Sequence, residues 1–204
     1  MNSKNIVICI AVVLMLIIGS ALAYFTDADS ETNSFTVGNI SLDLTEPGWN
    51  PEKGKNITPS QTIAKDPQIT NDGANDAFVF MSVEVPMATV KTANADGTVN
   101  AAASKELFSY DVNDSWTVIG AQRIGMSRVT YIYAYVGNDG NMKALKPGST
   151  TQPVFDSVTF VNAIEGQLDN TTITIDVSSM GIQANDLNTT NPAEVYEILT
   201  NQTE

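Results

Sequence analysis

Histidine is absent from this 204-residue chain, and cysteine occurs once, at position 9. Without histidine, the chain cannot build Ser-His-Asp or Cys-His nucleophilic sites, or zinc sites that depend on imidazole. Glycine-rich phosphate-binding motifs of the forms G-x-x-x-x-G-K and G-x-G-x-x-G are also missing. Catalysis would have to rely on a pair of carboxylates, and no spacing in the sequence selects such a pair. We therefore expect no enzymatic activity, no cofactor and no metal site.

Basic side chains are also scarce, because 10 Lys and Arg residues stand against 23 Asp and Glu residues, which gives a net charge of −13. A surface with so little positive charge neutralises few phosphates. We therefore expect no nucleic-acid partner and no binding to anionic lipid headgroups. Two interpretations of the acidity stay open, which are solubility alone and bridging of acidic chains by divalent cations.

The one long apolar run lies at the N-terminus. Lys4 precedes thirteen apolar residues at 6–18, and Ala21 and Ala23 supply small side chains at the positions that a signal peptidase reads. This order predicts a secretory signal peptide over residues 1–23, cleaved before Tyr24. The membrane would then be contacted only through this segment before cleavage, and the mature protein would be secreted to the extracellular matrix or cell surface. The alternative is a retained membrane anchor over residues 6–25.

Period-two alternation dominates the rest of the chain and predicts short strands. It is clearest at 40–44, at 77–85, where the first half is apolar on both faces, and at 128–136. Further strands are expected at 61–65, 68–71, 154–161 and 171–177, and a hairpin is expected between 107–112 and 116–119. Asn191 and Pro192 predict the start of a short C-terminal helix. The fold class is therefore all-β, an antiparallel jelly-roll-like β-sandwich over residues 37–204, with a flexible excursion at about 88–105.

Two further patterns each have a functional and a structural interpretation. Tyr131, Tyr133 and Tyr135 form a stripe that suits either a carbohydrate platform or packing in the core. The acidic clusters at 27–31 and 71–76 suit either calcium or a solvated turn. In both cases the structural interpretation is the one that we prefer.

The junction after the apolar run carries a family resemblance. Residues 19–27 read GSALAYFTD, residues 33–40 read NSFTVGNI, and residues 42–44 read LDL. In combination they resemble the TasA/camelysin family of secreted Gram-positive proteins, whose signal peptides are removed by a SipW-type signal peptidase. Weaker similarity over 59–85 and 145–183 extends the resemblance over most of the chain.

The resemblance implies a jelly-roll subunit of biofilm-matrix or cell-surface fibres. It also implies assembly by strand addition, in which the N-terminal segment of one subunit, residues 24–36, pairs with the next subunit. Carried over by position, the assembly strand comprises Tyr24, Phe25, Thr26, Asp27 and Phe35. The expected partners are other copies in a head-to-tail homopolymer, or related fibre subunits.

Two other functions compete with this one. A monomeric surface or matrix accessory could bind glycan, cell wall or fibre. Some family members are labelled metallopeptidases, but this chain lacks every histidine that such a site would use, so this is the alternative that we favour least.

Overall fold

The computed structural model describes residues 38–169 and 171–202, and these residues form ten strands, a 3₁₀ turn and one α-helix. The strands are β1 (Leu42–Thr45), β2 (Thr62–Ala64), β3 (Gln68–Asn71), β4 (Ala77–Val90), β5 (Ala103–Glu106), β6 (Phe108–Ser109), β7 (Trp116–Ile124), β8 (Arg128–Tyr135), β9 (Ser157–Phe160) and β10 (Asp176–Gln183). The 3₁₀ turn spans Pro51–Gly54, and helix α1 spans Pro192–Gln202.

The strands form three antiparallel sheets. The largest has the order β10-β4-β8-β7, with β5 paired to the far end of β4. A second sheet has the order β2-β9-β6, and β1 pairs with β3 in a third. Every strand pair within the described residues is antiparallel. The prediction of an antiparallel all-β chain with a short C-terminal helix is therefore confirmed, while jelly-roll connectivity stays a prediction.

Strand β4 lies at the centre because both of its faces are apolar. Its odd-numbered residues 79–85 are completely buried and pack with Val129 and Tyr133 of β8 against Val158 and Phe160 of the second sheet. Side chains two residues apart share a face of a strand, so this set forms one continuous layer between two sheets. This first core holds most of the buried apolar side chains.

The opposite face of β4 forms a second core with the C-terminal helix. Phe78 and Phe80 pack there with Ile182 of β10 and with Val195 and Leu199 of α1. The helix starts where the sequence predicts, because the Asn191 side chain accepts hydrogen bonds from the backbone N–H groups of Ala193 and Glu194. α1 therefore covers the apolar sheet face that the other two sheets leave open.

Two predictions about strands are wrong. Residues 107–112 and 116–119 do not form a hairpin, because Phe108 of β6 pairs with Phe160 of β9 while Trp116 of β7 pairs with Tyr135 of β8. The strand expected at 171–177 instead covers Asp176–Gln183, where it pairs with β4 over its whole length. Long-range pairing decided both positions over the local pattern.

The predicted excursion at about 88–105 lies at the tip of a hairpin. Met87–Val90 at the end of β4 pair with Ala103–Glu106 of β5, and a bridge between Ala93 and Val99 closes the tip. The connecting residues are mostly exposed. Of the other predicted segments, residues 1–23 and 24–36 lie outside the described residues. Across the part of the chain that is described, no helix has the length and apolar character of a membrane span.

The cap of α1 gives the first testable prediction. Replacing Asn191 with Ala removes the acceptor for two N–H groups and should lower the free energy of unfolding by about 1 kcal/mol. Urea denaturation followed by circular dichroism measures this change. Thr190→Ala is the matched control, because the Thr190 side chain is exposed and its change should leave the midpoint in place. Equal midpoints for the two variants would contradict the capping role.

Candidate functional site

All the site residues predicted from the sequence precede the described part of the chain. Ala21, Ala23 and Tyr24 of the cleavage site, and Phe25, Thr26, Asp27 and Phe35 of the assembly strand, lie outside the described residues. The described residues begin at Gly38, and they show the sheet edges on which a strand can be added.

The body begins at Gly38 beside the turn between β3 and β4. Gly38 has no room for a Cβ because the side chain of Asn75 lies against it, and Asn75 in turn donates a hydrogen bond to Gln183 of β10 at 3.1 Å. A Cβ on Gly73 would lie 2.6 Å from the carbonyl oxygen of Asn39. The first described residues are therefore held tightly at the β10 side of the large sheet.

The turn at 71–76, one of the two acidic clusters, is occupied by its own hydrogen bonds. Asn71 is completely buried, and its amide nitrogen donates to the carbonyl oxygens of Asn75 and Leu145, both at 2.8 Å. Its side-chain oxygen accepts from the N–H of Gly73. Asn71 thus satisfies backbone groups inside the fold, which supports the structural interpretation of this cluster. The cluster at 27–31 lies outside the described residues.

The tyrosine stripe of β8 belongs to the first core. Tyr133 and Tyr135 are buried, and Tyr131 is partly buried. The hydroxyl groups of Tyr110 and Tyr133 lie 3.0 Å apart, and the Tyr131 hydroxyl donates to Glu106 at 2.9 Å. The stripe therefore packs, as we preferred, and its polar ends form a hydrogen-bonded group between β8, β5 and the chain after β6.

Burial controls the ionisation of these phenols. It raises the pKa of Tyr131 to about 12, with a further contribution from the hydrogen bond to Glu106. Burial also raises the pKa of Tyr110 far above its ordinary value, and that of Tyr133 in the same direction. All three side chains therefore stay neutral at physiological pH and act as hydrogen-bonding parts of the core.

An ion cluster crosses three strands of the large sheet. Arg128 of β8 pairs with Glu84 of β4, and its guanidinium lies 2.8 Å from the carboxylate of Asp176 in β10. Glu84 and Asp176 are directly opposite each other in the sheet, where like charges repel. Arg128 relieves that repulsion, and the two carboxylates raise the pKa of its guanidinium.

A small cleft lies between the loop after β1 and the second sheet. It has a volume of about 260 Å³ and is lined by Trp49, Ile63, Phe108 and Ile175, among others. The ammonium group of Lys65 lies 2.6 Å from the Glu46 carboxylate and 5.3 Å from the centre of the Trp49 ring. Trp49 and Lys65 thus line the cleft together, and Asp176 adds a second charged side chain to its lining.

Strand β7 forms an edge of the large sheet. Among the described strands it pairs only with β8, and the register shifts between Val118 and Gly120. Val118 lies opposite Tyr133, so both side chains point to the first core, yet Val118 is 54% exposed while Tyr133 is 4% exposed. The core face of the sheet therefore continues to β7 without a neighbouring strand to cover it.

The start of β7 borders an open cleft of about 470 Å³. Val112, which follows β6, and Trp116 at the beginning of β7 both line it, together with residues of the 137–140 turn. Val112 is itself partly exposed at 38%. This edge could not be predicted from the sequence pattern, because the exposure of a strand depends on which strands pair with it. The absence of acids in residues 115–138 is the only local signal that could have drawn attention to it.

Comparison with known proteins identified one family. A sequence model of the camelysin metallo-endopeptidases matches residues 4–118, which is more than half of the chain. A search of curated proteins and a search of solved structures found no match.

The family description implies a metal, and the residues that the structure describes do not fit one. The chain has no histidine. Within residues 38–169 and 171–202, no three Cys, Asp or Glu side chains come together in a way that could hold a metal ion. The carboxylates of Glu84 and Asp176, which do lie close together, are instead paired with Arg128.

The hydrogen bond between Tyr131 and Glu106 gives a prediction about alkaline pH. Because the folded pKa of Tyr131 is raised to about 12 from an ordinary value of about 10, its contribution to stability is intact below about pH 10 and is lost as the pH rises towards 12. Glu106→Gln removes a negative charge beside the phenol and should lower that pKa, so Tyr131 of the folded protein ionises at lower pH and the loss of stability above about pH 10 becomes smaller.

Near-ultraviolet absorbance during a pH titration measures this ionisation. Glu165→Gln changes an exposed acid elsewhere and is the control for the change in net charge. A titration curve of Glu106→Gln that coincides with that of the control would show that Glu106 does not act on Tyr131.

Proposed function

The chain belongs to the camelysin family, and we propose from this premise that it is a secreted structural protein of the biofilm matrix or of cell-surface fibres. Residues 1–23 act as a signal peptide that a SipW-type signal peptidase removes after Ala23. Residues 24–36 of the mature chain then add as a strand to the next subunit, which builds a head-to-tail polymer. The partners are other copies of the chain or related fibre subunits.

One observation carries this proposal. The body that starts at Gly38 forms a compact unit with two apolar cores, and its largest sheet ends in β7, which has a described neighbour on one side only. An unpaired edge of this kind is a template for another strand. The protein thus offers both requirements for strand addition, a segment that precedes the compact unit and an edge that can accept it.

The chemistry of the chain supports a structural role over the peptidase role that the family description names. Metallo-endopeptidases activate water on a metal. This chain has no histidine, and the side chains of residues 38–169 and 171–202 do not fit a metal. The close groups of polar side chains have structural partners instead. The phenols of Tyr110 and Tyr133 bond to each other, and Glu84 pairs with Arg128. We therefore propose that the chain is not an enzyme.

Charge also bears on how such a polymer would assemble. The full chain has a net charge of −13, and residues 1–23 contain no acid, so copies of the mature chain also repel one another at low ionic strength. Salt screens that repulsion over a distance of about 10 Å at 0.1 M. A polymer of this protein therefore needs contacts that are short, apolar and hydrogen-bonded, such as those of an added strand.

Light scattering on two chains tests the proposal. One chain starts at Tyr24 and the other at Val37, and both are measured at the same protein concentration in the same salt. We expect the longer chain to form species of high mass and the shorter one to stay monomeric, because only the longer one has the donor strand.

Circular dichroism and thermal unfolding of the shorter chain provide the control, because both should show a folded body. If both chains stay monomeric over a range of pH and salt, self-assembly is wrong and the monomeric accessory function takes its place. If both polymerise, residues 24–36 are not the donor.

A further inference from the structure

We propose that β7 is the acceptor edge, and that residues 24–36 of a second copy pair with it in antiparallel orientation, with Phe35 beside Val118 and Glu31 beside Arg123. This inference rests on the proposed strand donation. It adds the surface that receives the strand, the register in which the strand lies and the charge pair that selects it.

The other edges of the sheets are less suitable. β10 forms the opposite edge of the large sheet, and it carries the acid Asp176. β1 also lies against it, because Leu42 of β1 is so close to Gly181 that a Cβ on Gly181 would be 2.7 Å from the Leu42 side chain. β5 ends in Glu106, and β1 contains Asp43. β2 and β6 are only three and two residues long. β7, with nine residues and no acid, is the longest acid-free edge among the described strands.

The apolar surface of this edge continues from the first core. Val118 and Tyr133 are cross-strand neighbours on the core-facing side, and only Val118 is exposed. A strand beside β7 would place a side chain next to Val118 on the same face, at about 5 Å. An aromatic side chain there would cover Val118 and extend the tyrosine layer by one more position.

The charge of the edge is opposite to that of residues 24–36. That segment contains Asp27, Asp29 and Glu31 and no basic residue, whereas residues 115–138 contain two arginines and no acid. One of these, Arg128, is paired with Glu84 and Asp176. Among the described residues, no carboxylate lies within ion-pair distance of the other, Arg123, so its charge is available to a partner.

The spacing within the two strands matches. Val118 and Arg123 are five residues apart in β7, but one extra β7 residue falls at the register shift between Val118 and Gly120. They therefore lie opposite Tyr133 and Val129 of β8 and share a face, and a strand that follows the same shift meets them four positions apart. In residues 24–36, Phe35 and Glu31 are also four residues apart and therefore share a face of an extended strand. In an antiparallel pairing, which every described strand pair shows, Phe35 lies beside Val118 and Glu31 lies beside Arg123.

The donor has to come from a second copy. Gly38 is held beside Asn75, which bonds to β10, and a strand outside β7 lies four strand spacings from β10, or about 19 Å. Phe35 is three residues before Gly38, and three extended residues span at most about 11 Å. The Phe35 of the same chain is too close to Gly38 to reach Val118, so the contact joins two subunits.

The apolar part of the contact is tested by lysine substitution in the chain that starts at Tyr24. Val118→Lys places a charge on the buried side of the added strand and should raise the protein concentration needed for polymerisation by roughly tenfold or more. Val99→Lys is the matched control, because Val99 is 58% exposed but lies at the tip beyond β5, and its polymers should form as before. Equal polymerisation of both variants would overturn the assignment of β7.

The register is tested by reversing the charge pair. Arg123→Glu alone and Glu31→Arg alone should each impair polymerisation, and the double variant should restore it, because the opposite charges face each other again. The combination of Arg123→Glu with Asp29→Arg is the control for a parallel strand, in which Phe25 and Asp29 would take the two positions. Rescue by Asp29→Arg and not by Glu31→Arg would overturn the antiparallel register.

The outcomes also separate this inference from the proposed function. If deletion of residues 24–36 abolishes polymers while every β7 variant still forms them, strand donation stands and the acceptor lies elsewhere. If the unaltered chain that starts at Tyr24 does not polymerise at all, strand donation itself fails and the acceptor assignment fails with it. Circular dichroism of each variant shows that loss of polymer is not loss of fold.

Discussion

Burial of β4 on both faces is the constraint on which the rest of the structure depends. A strand with apolar side chains at both parities cannot lie at a surface, so it needs a layer on each side. The sheet of β2, β9 and β6 supplies one layer, and helix α1 supplies the other. With the strands β10 and β8 along its two sides, β4 contacts most parts of the described body, and a defect in it would affect both cores.

The polar groups inside this arrangement have one feature in common, which is that they join strands that are far apart in the sequence. Asn71 bonds to Leu145, Trp116 donates to the carbonyl oxygen of Gln152, and Arg128 links Glu84 to Asp176. Asn71 and Trp116 are buried, and their bonds satisfy polar groups that would be costly to bury alone. In a domain whose described part contains no cysteine, these bonds and the apolar layers perform the role that disulfides have in many exported proteins.

Local sequence patterns predicted the elements in which the order of apolar and polar residues agrees with the order of buried and exposed positions. The alternation at 77–85 and 128–136 located β4 and β8, and Asn191 with Pro192 located the start of α1. The pattern failed where pairing is non-local, because Phe108 pairs with Phe160 and not with the nearby strand β7. It failed again at β10, whose residues Met180 and Gly181 show no clear alternation and form a strand because β4 lies alongside.

The two parts of the proposed contact also differ in how far they could be predicted from the sequence. The proposed donor segment could be predicted from residues 19–40 by resemblance. The proposed acceptor edge could not, since the exposure of Val118 results from the absence of a described strand beside β7. The charge of the two surfaces was present in the sequence from the start. It became informative only when the fold showed that Arg123 and Val118 lie on one face of an edge.

The two-sided burial of β4 also affects folding during synthesis, because the residues that cover one of its faces are made late. Phe78 faces Ile182, about a hundred residues later in the chain, and the helix that covers the same face starts later still, at Pro192. A chain emerging from the ribosome therefore carries the most apolar strand of the protein long before its cover exists, and such long-range contacts form slowly. Until residues 192–202 have been made, the second core cannot be completed over this face of β4.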